Sequence, residues 1–220
     1  MNAINSWGCR PGTRRVFLLA GLSAVGASAF GGSFEDFFRA ISRDDVRAID
    51  RLVARGFDIN TRDERDIPPL ILALQLDSIK VANYLVAHAD TEVRDVNAAG
   101  ENALMIAALR GQIQMVDAIL ERHVPVNQPG WTPLHYAATH NGVAAASLVQ
   151  RFLDRHAYID AESPNGTTPL MMAARYGTEE SVRVLLNADA DASLKNQMGL
   201  TALDFAQLGA RPGNVKLLTR

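Results

Sequence analysis

A short pattern recurs along this chain at a nearly constant interval, and that interval limits the possible folds more than any other feature of the sequence. The pattern pairs a leucine with an alanine three residues later, and its leucines are at positions 70, 104, 134, 170 and 203. A second apolar pair follows most of them after about fifteen residues, and a weaker first copy begins at Phe37. A repeat of about 33 residues predicts units that stack side by side, because one unit is too small to bury its own apolar face.

Each unit of the repeat predicts two helices and an extended segment. In the best copy, Thr132 can cap a helix and Pro133 suits its first turn. Leu134 and Ala137 lie on one helix face because they are three residues apart. Glycines at 100, 130, 166 and 199 precede the helices, where a tight turn requires positive φ. The fold class predicted is therefore an all-α solenoid of about six helix-turn-helix units with short extended fingers.

The stretch 130–138, GWTPLHYAA, resembles the T-P-L-H-x-A consensus of the ankyrin-repeat family. The chain is similar to this family from about Phe34 to the C-terminus. The resemblance implies an ankyrin-repeat domain over residues 30–220, with units at about 34–66, 67–99, 100–129, 130–165, 166–198 and 199–220. It also implies that His135 hydrogen-bonds the backbone around its turn. No other unit has a histidine in this slot, so the others must stabilise the turn differently.

Two places depart from the regular spacing. The segment between the third and fourth units is short and contains Pro125 and Pro129, which predict a finger without a paired hairpin because proline lacks an N–H donor. The fourth unit gains three residues within the alanine-rich stretch 141–147, which predicts a longer second helix or a larger loop between its helices. In the first unit, Ser33 and Asp36 fit a capping box at the start of the first helix.

The first thirty residues predict an export signal. A polar segment with three arginines precedes an apolar run from Val16 to Ala24, and small residues follow up to Ala27-Ser28-Ala29. This layout is typical of a bacterial signal peptide with an A-x-A cleavage site. The run is about half the roughly 20 residues that span a bilayer, so no stable membrane span is expected after cleavage. We predict a signal peptide over residues 1–29, cleaved after Ala29.

The arginines of this segment indicate the export route. Thr13-Arg14-Arg15-Val16-Phe17-Leu18 resembles the twin-arginine motif S/T-R-R-x-F-L, with Arg14, Arg15 and Phe17 as its defining residues. A general secretory signal that happens to contain two arginines and an uncleaved anchor are the alternatives. The only cysteine, Cys9, lies in the same segment, and a cysteine-free body suits an oxidising compartment. The predicted location is the bacterial periplasm.

Charge and motifs exclude several function classes. The formal net charge is −2, and the chain after residue 29 has 19 basic against 24 acidic residues, so a nucleic-acid partner is not expected. The sequence contains neither a GxxxxGK[ST] nor a GxGxxG nor an HExxH motif. His88, His123 and His156 follow successive second helices, where they are favourable at the negative end of the helix dipole. We predict no catalytic residue, no cofactor and no metal site.

A stack of such repeats presents an extended concave surface, and family resemblance implies that it binds another protein. Arg, Trp and Tyr are favoured interface residues. The candidate partner-binding residues are Arg110, Trp131, Tyr136, His140, Arg175 and Tyr176. Packing against a neighbouring finger is the structural alternative for Trp131, and simple solvation is the alternative for Arg110 and Arg175.

The resulting hypothesis is an exported, non-enzymatic interaction module that binds a periplasmic protein. Resemblance to some bacterial ankyrin-repeat proteins implies support of a periplasmic enzyme such as a catalase, although no residue of this chain points to that enzyme. One alternative is a secreted effector that binds a host protein, which would need a further export step. Another is an enzyme built on a repeat scaffold. The oligomeric state does not follow from the sequence.

Overall fold

The computed structural model describes residues 27–219, and this part of the chain forms twelve helices. In chain order they are α1 Ala27–Ser42, α2 Val46–Ala54, α3 Pro69–Gln75, α4 Ile79–Ala87, α5 Ala103–Leu109, α6 Ile113–Glu121, α7 Pro133–Thr139, α8 Ala145–Asp154, α9 Pro169–Tyr176, α10 Glu179–Asn187, α11 Ala202–Leu208 and α12 Pro212–Leu218. They pair as α1–α2 through α11–α12, which makes six units. Within residues 27–219 the only β-pairing is an isolated bridge between Val96 and Asn102.

The helices form two layers. The odd-numbered helices pack against one another in chain order, from α1 against α3 to α9 against α11, and form the first-helix layer. The even-numbered helices form the second-helix layer behind it, and each pair packs internally. The predicted all-α solenoid of about six helix-turn-helix units is therefore confirmed.

The core follows the repeated pattern of the sequence. Leu70, Leu104, Leu134 and Leu170 are buried at the same place in successive first helices, and the alanines three residues later are buried beside them. Each leucine removed from water contributes roughly 2 kcal/mol to folding. The small alanines allow neighbouring first helices to approach closely. One continuous core runs from Phe37 to Ala206, as stacking of incomplete units requires.

Residues with positive φ mark the turns that reverse the chain. The predicted glycines at 100, 130, 166 and 199 have φ between +73° and +80°, and Asp66 takes the equivalent place in the first unit at +61°. A second set lies between the two helices of a unit and includes Asp44, Asp77, Gly111 and Ala210. Two second helices begin with side-chain caps: Asp45 and Thr178 accept backbone N–H groups at the starts of α2 and α10, at 3.0 and 3.1 Å.

Four of the five fingers close with the same backbone hydrogen bond, and the third does not. The fingers are residues 55–68, 88–102, 122–132, 155–168 and 188–201. The bond joins Asp63 to Ile67, Asn97 to Glu101, Ser163 to Thr167 and Asn196 to Leu200. The third finger has eleven residues where the others have fourteen or fifteen. There, the Gln128 side chain donates to the Trp131 carbonyl at 3.0 Å, and Pro129 occupies the turn. The predicted short finger is confirmed.

The extra residues of the fourth unit enlarge the loop more than the helix. The loop between α7 and α8 spans residues 140–144, against 110–112 between α5 and α6. Helix α8 has ten residues, one more than α4, α6 and α10. Val143 is fully exposed in this loop. Both of the outcomes predicted for the insertion therefore occur together.

Polar side chains also connect one finger to the next. Asn60 donates to a carbonyl of the second finger and accepts an N–H from it, both at 2.8 Å, and Asn127 does the same toward the fourth finger. Asp160 occupies the corresponding place but can only accept, from the N–H of Asp191 at 3.1 Å. Burial, followed by the charge of Asp191, raises the pKa of Asp160. The asparagines are therefore the better connectors at this position.

The predicted start of the first helix is wrong. Helix α1 begins at Ala27 and continues through Ser33, and the carboxylate of Asp36 accepts a hydrogen bond from Arg39 at 2.7 Å instead of forming a capping box. The predicted signal residues Arg14, Arg15 and Phe17 lie outside the described residues, whereas Ala27 and Ala29 belong to the backbone of α1. Within residues 27–219, no helix combines the length and apolar character needed to cross a membrane.

Candidate functional site

The predicted partner-binding residues lie at two places on the first-helix layer. Trp131 precedes α7 and Tyr136 lies within it, near the fingers. Arg110, His140, Arg175 and Tyr176 lie at the C-terminal ends of α5, α7 and α9. Helix α7 has seven residues, so its two ends are separated by about 10 Å. The six side chains therefore form two groups and not one cluster.

Trp131 and His135 form a structural group at the start of α7. The imidazole of His135 is buried, and its Nε2 donates to the Thr167 carbonyl of the next finger at 2.9 Å. Its Nδ1 accepts from the N–H of Thr132 at 3.2 Å. The half-buried Trp131 ring meets the imidazole edge-on, with 5.2 Å between ring centroids. The backbone role implied for His135 is thus present, and the Trp131 ring contacts a side chain of its own unit.

The environment of His135 favours the neutral imidazole. Burial lowers its pKa to about 4, although hydrogen bonds to backbone carbonyls, that of Thr167 first, act in the opposite direction. In the last unit, Asp204 takes over this slot and accepts from both the N–H and the hydroxyl of Thr201 at 2.7 Å. In the last unit, a carboxylate therefore replaces the imidazole.

Tyr136 reaches across to the preceding unit. Its hydroxyl donates to a carboxylate oxygen of Glu101 at 2.7 Å, and Glu101 in turn accepts from Asn97 at the same distance. Burial raises the pKa of Tyr136, and the hydrogen bond to Glu101 and the charge of that residue raise it further. The half-buried Tyr136 therefore connects two units through its hydroxyl.

Arg110 and His140 connect the ends of neighbouring first helices. The guanidinium of Arg110 donates to the Gln75 carbonyl at the end of α3. Nδ1 of His140 donates to the Leu109 carbonyl at the end of α5, at 3.0 Å. The His140 ring lies so close to Gly111 that a Cβ there would overlap it. His140 is therefore a connector between units, whereas Arg110 is exposed and keeps further N–H groups free for a partner.

Arg175 and Tyr176 form an adjacent pair at the C-terminal end of α9. The Arg175 guanidinium carbon lies 5.1 Å from the centroid of the Tyr176 ring, a cation–π arrangement. The backbone carbonyls of both residues accept from the Arg211 side chain, at 3.3 and 3.2 Å. These bonds fix the backbone while 40% of Tyr176 remains exposed.

The structure adds three exposed leucines that sequence reasoning missed. Leu76, Leu109 and Leu208 lie at the ends of α3, α5 and α11, and they are 48%, 38% and 58% exposed. Together with Tyr176 they form what we call the helix-end row. Their shared position, five or six residues after each repeat leucine, is the signal that could have identified them.

Neighbouring helix ends touch in the second half of the helix-end row. A Cβ on Gly177 would overlap the Ala138 carbonyl of α7, and one on Gly209 would overlap the Arg175 carbonyl of α9. Glycine is therefore required where these helix ends approach. In the fourth unit, Thr139 and His140 replace the apolar residue and interrupt the row. The result is an apolar strip in two parts, with Arg110 next to Leu109 and Arg175 next to Tyr176 in the chain.

Within residues 27–219, no three His, Cys, Asp or Glu side chains are arranged to hold a metal ion. His123 and His156, two of the three histidines that follow second helices, are exposed and have φ of +56° and +61°. They end their helices in the left-handed conformation, which serves chain reversal.

The chain is similar to known repeat proteins along nearly all of its described length. The family model for ankyrin repeats (3 copies) matches residues 37–129, 89–147 and 142–220. A human relative, transient receptor potential cation channel subfamily A member 1, is 29% identical over 189 residues. That match covers 82% of this chain but 16% of the channel.

Two solved structures show the same fold. A chain of the complex between the predatory endopeptidase Bd0816 of Bdellovibrio bacteriovorus and the immunity protein Bd3460 aligns with a TM-score of 0.70 at 24% identity, covering 84% of this chain and 97% of that chain. The ankyrin repeat domain of human ASB11 aligns with a TM-score of 0.70 at 23% identity, covering 82% of this chain and 80% of that one.

Proposed function

Because this chain belongs to the ankyrin-repeat family, whose repeats mediate protein–protein interaction, we propose that it is a non-enzymatic module that binds a partner protein through its first-helix layer. The helix-end row is the observation that carries this proposal. Exposed apolar and aromatic side chains flanked by arginines have the composition of a protein interface. Four first helices contribute to the row, so a partner can contact several units at once.

The proposed site combines apolar side chains that a partner can contact with helix ends that hydrogen bonds hold in place. Tyr176 and the three exposed leucines supply apolar area, and Arg110 and Arg175 supply donors at its edge. The helix ends that carry them are tied together through Gln75, Leu109 and Arg175 carbonyls. A surface held in this way loses little conformational freedom on binding, which favours affinity.

Replacing two residues of the helix-end row tests this site. We expect Tyr176→Ala combined with Leu208→Ala to reduce recovery of the partner at least tenfold when the purified protein is used as bait in periplasmic extract. The reason is that truncating an interface anchor costs about 2 kcal/mol or more. The readout is quantitative mass spectrometry of the captured proteins.

Tyr158→Ala provides the matched control, since Tyr158 is an exposed aromatic residue that follows the second helix α8. Its recovery of the partner should equal that of the wild type. Undiminished recovery by the double variant would reject the helix-end row as the binding site.

The second part of the proposal concerns location. Arg14, Arg15 and Phe17 match the twin-arginine pattern, and the small residues up to Ala29 fit a cleavage site. The body of the chain has no cysteine, which suits an oxidising compartment. These observations support export to the bacterial periplasm, where the partner would be a resident protein.

Conservative replacement of both arginines tests the export route. Arg14→Lys with Arg15→Lys keeps the charge but removes the motif, so we expect the protein to accumulate in the cytoplasm with its signal uncleaved. Cell fractionation shows in which compartment the protein accumulates, and intact-mass analysis shows whether the signal has been cleaved. Unchanged appearance of the mature form in the periplasm would contradict a twin-arginine signal and favour the general secretory route.

The partner we propose is an enzyme of that compartment, such as a catalase, which the module would support. Resemblance to bacterial ankyrin-repeat proteins motivates this choice. A chain of the same fold also occurs in a solved complex that pairs a bacterial endopeptidase with an immunity protein. The mass-spectrometric identity of the captured protein decides the class of partner.

A further inference from the structure

The outer side of the first unit contains a cleft between α1 and α2 with a volume of about 250 Å³. Both helices present residues to it at the spacing i, i+3, i+4 and i+7. Helix α1 and the turn after it contribute Asp36, Arg39, Ala40 and Arg43, and α2 with the residue that follows it contributes Ala48, Arg51, Leu52 and Arg55. Each side of this arginine cleft thus carries two arginines, four residues apart.

Three of these arginines have no partner among the described residues. Arg39 is paired with Asp36 at 2.7 Å, and Asp45 at the end of the cleft accepts the N–H of Ala48. The guanidinium groups of Arg43, Arg51 and Arg55 make no hydrogen bond or ion pair within residues 27–219. All three side chains are exposed.

Arginines elsewhere in the stack are used differently. Arg62 binds Asp95 at 2.9 Å, Arg151 binds Asp117 at 2.9 Å, and Arg122 donates to the His88 carbonyl at 3.0 Å. Each of these bonds joins two units. In each later unit, the preceding unit packs against one side of the helix pair. The first unit has no unit before it within the described residues, and its arginines line a cleft on that side.

We propose that the arginine cleft binds an acidic peptide segment of a partner protein. The floor is partly apolar, since Ala40 is buried and Ala48 and Leu52 are partly buried. Guanidinium groups match carboxylates in a two-bond geometry that an ammonium group does not offer. A short peptide backbone can therefore rest on the floor while its carboxylates meet the arginines on either side.

The spacing of the arginines predicts the sequence of the peptide. Residues four apart on a helix are separated by about 6 Å along its axis. Side chains two apart in an extended strand are separated by about 6.6 Å and point the same way. Arg51 and Arg55, which have no partner within residues 27–219, therefore match acidic residues at alternate positions, and Arg43 lines the opposite side of the cleft. An alternating acidic segment should bind better than a block of the same charge.

Nucleic acid fits this cleft less well. The chain carries a formal net charge of −2, so a long polyanion would be repelled once it extended beyond the cleft. A short peptide interacts only with the local arginines. The cleft is on the first unit and shares no residue with the helix-end row, so either surface can be tested without the other.

Fluorescence anisotropy with defined peptides tests the proposal on the full chain. The probes are labelled Glu-Ser-Glu-Ser-Glu-Ser and Glu-Glu-Glu-Ser-Ser-Ser, measured at low ionic strength because exposed ion pairs are screened by salt. We expect the alternating peptide to bind at least threefold more tightly. The variant Arg43→Gln, Arg51→Gln, Arg55→Gln should weaken its binding about tenfold, as three exposed charge contacts would.

A variant with the same loss of charge provides the control. Lys80→Gln, Arg155→Gln and Lys216→Gln remove three exposed charges outside the cleft, and binding should stay within twofold of the wild type. Circular dichroism verifies that both variants keep their helices. Equal weakening by the two triple variants, or no preference for the alternating peptide, would overturn the proposal.

Two further outcomes would replace the proposed occupant. An oligothymidylate that binds more tightly than the peptide, with the same dependence on the three arginines, would mean that the cleft binds nucleic acid. Self-association in analytical ultracentrifugation that disappears in the arginine variant would mean that a second copy of this chain fills it. Either result contradicts an acidic peptide of a partner protein as the occupant.

Discussion

His135 and His140 are five residues apart and hold the stack together at opposite ends of α7. His135 is buried and joins its own turn to the next finger, whereas His140 donates to the end of the preceding first helix. Both residues come from a stretch rich in side chains that active sites use. Their hydrogen bonds show that these two side chains connect units.

Acid should reveal the role of His135. Its pKa is lowered to about 4 in the folded state, against about 6.5 in the unfolded chain. Its stabilising contribution is therefore fully present above pH 6.5 and is lost as the pH falls from 6.5 to 4. We expect the free energy of unfolding to decrease by about 2 kcal/mol more between pH 7 and pH 5 in the wild type than in His135→Gln.

Urea unfolding at the two pH values measures this difference. His156→Asn is the control, because His156 is exposed and asparagine tolerates its positive φ. The control should show the same pH dependence as the wild type. If His135→Gln lost as much stability as the wild type between pH 7 and pH 5, the interpretation that His135 is buried as a neutral imidazole would be wrong.

The sequence predicts the hydrogen-bonding role of His135 better than that of His140. The slot of His135 is part of a motif, and its main partner, Thr132, is three residues away. His140 has its partner 31 residues earlier and lies against Gly111. That contact depends on how two units are placed in space, and one copy of the repeat contains no information about it. The helix-end row was not predicted for the same reason. Exposed leucines at helix ends form one surface only when the units that carry them are aligned.

At the scale of elements, four of the six turns between the paired helices of residues 27–219 contain a residue in the left-handed conformation. Gly111 fulfils this role between α5 and α6 with φ of +73°, and Ala210 fulfils it between α11 and α12 with φ of +51°. An L-residue other than glycine, asparagine or aspartate is strained there by roughly 1–2 kcal/mol. The last turn is therefore less favourable than its counterparts.

Ala210→Gly should relieve this strain. Glycine gains the left-handed conformation without penalty but loses more backbone entropy on folding, so we expect a net stabilisation of about 0.5–1 kcal/mol. Urea unfolding provides the measurement. Ala188→Gly is the matched control, since Ala188 is exposed at the end of α10 with φ of −95° and should only lose stability. A destabilised Ala210→Gly variant would contradict the account of this turn.

The insertion in the fourth unit shows a feature of the helices and loops that the sequence does not predict. The alanine-rich stretch 141–147 predicts either a longer helix or a larger loop. The structure divides the extra residues between both, with α8 beginning at Ala145 and Val143 left exposed. Helix propensity alone does not fix that division, because the loop must also let His140 reach the Leu109 carbonyl.

At the scale of the whole molecule, the stack presents one long surface because its units repeat. The helix-end row runs along the first-helix layer, and the arginine cleft lies at the outer side of the first unit. The period in the sequence predicts this architecture, since stacked units place equivalent residues side by side. Which equivalent positions are exposed depends on the packing of neighbouring units and is visible only in the structure.

Hydrogen–deuterium exchange of the protein with and without its captured partner is the most direct test of binding through the first-helix layer. We expect added protection at regular intervals in the first helices, over residues 72–76, 106–110, 172–176 and 204–208, while α4, α6, α8 and α10 exchange as before. Protection confined to the second helices, or without the period of the repeat, would contradict binding through the first-helix layer.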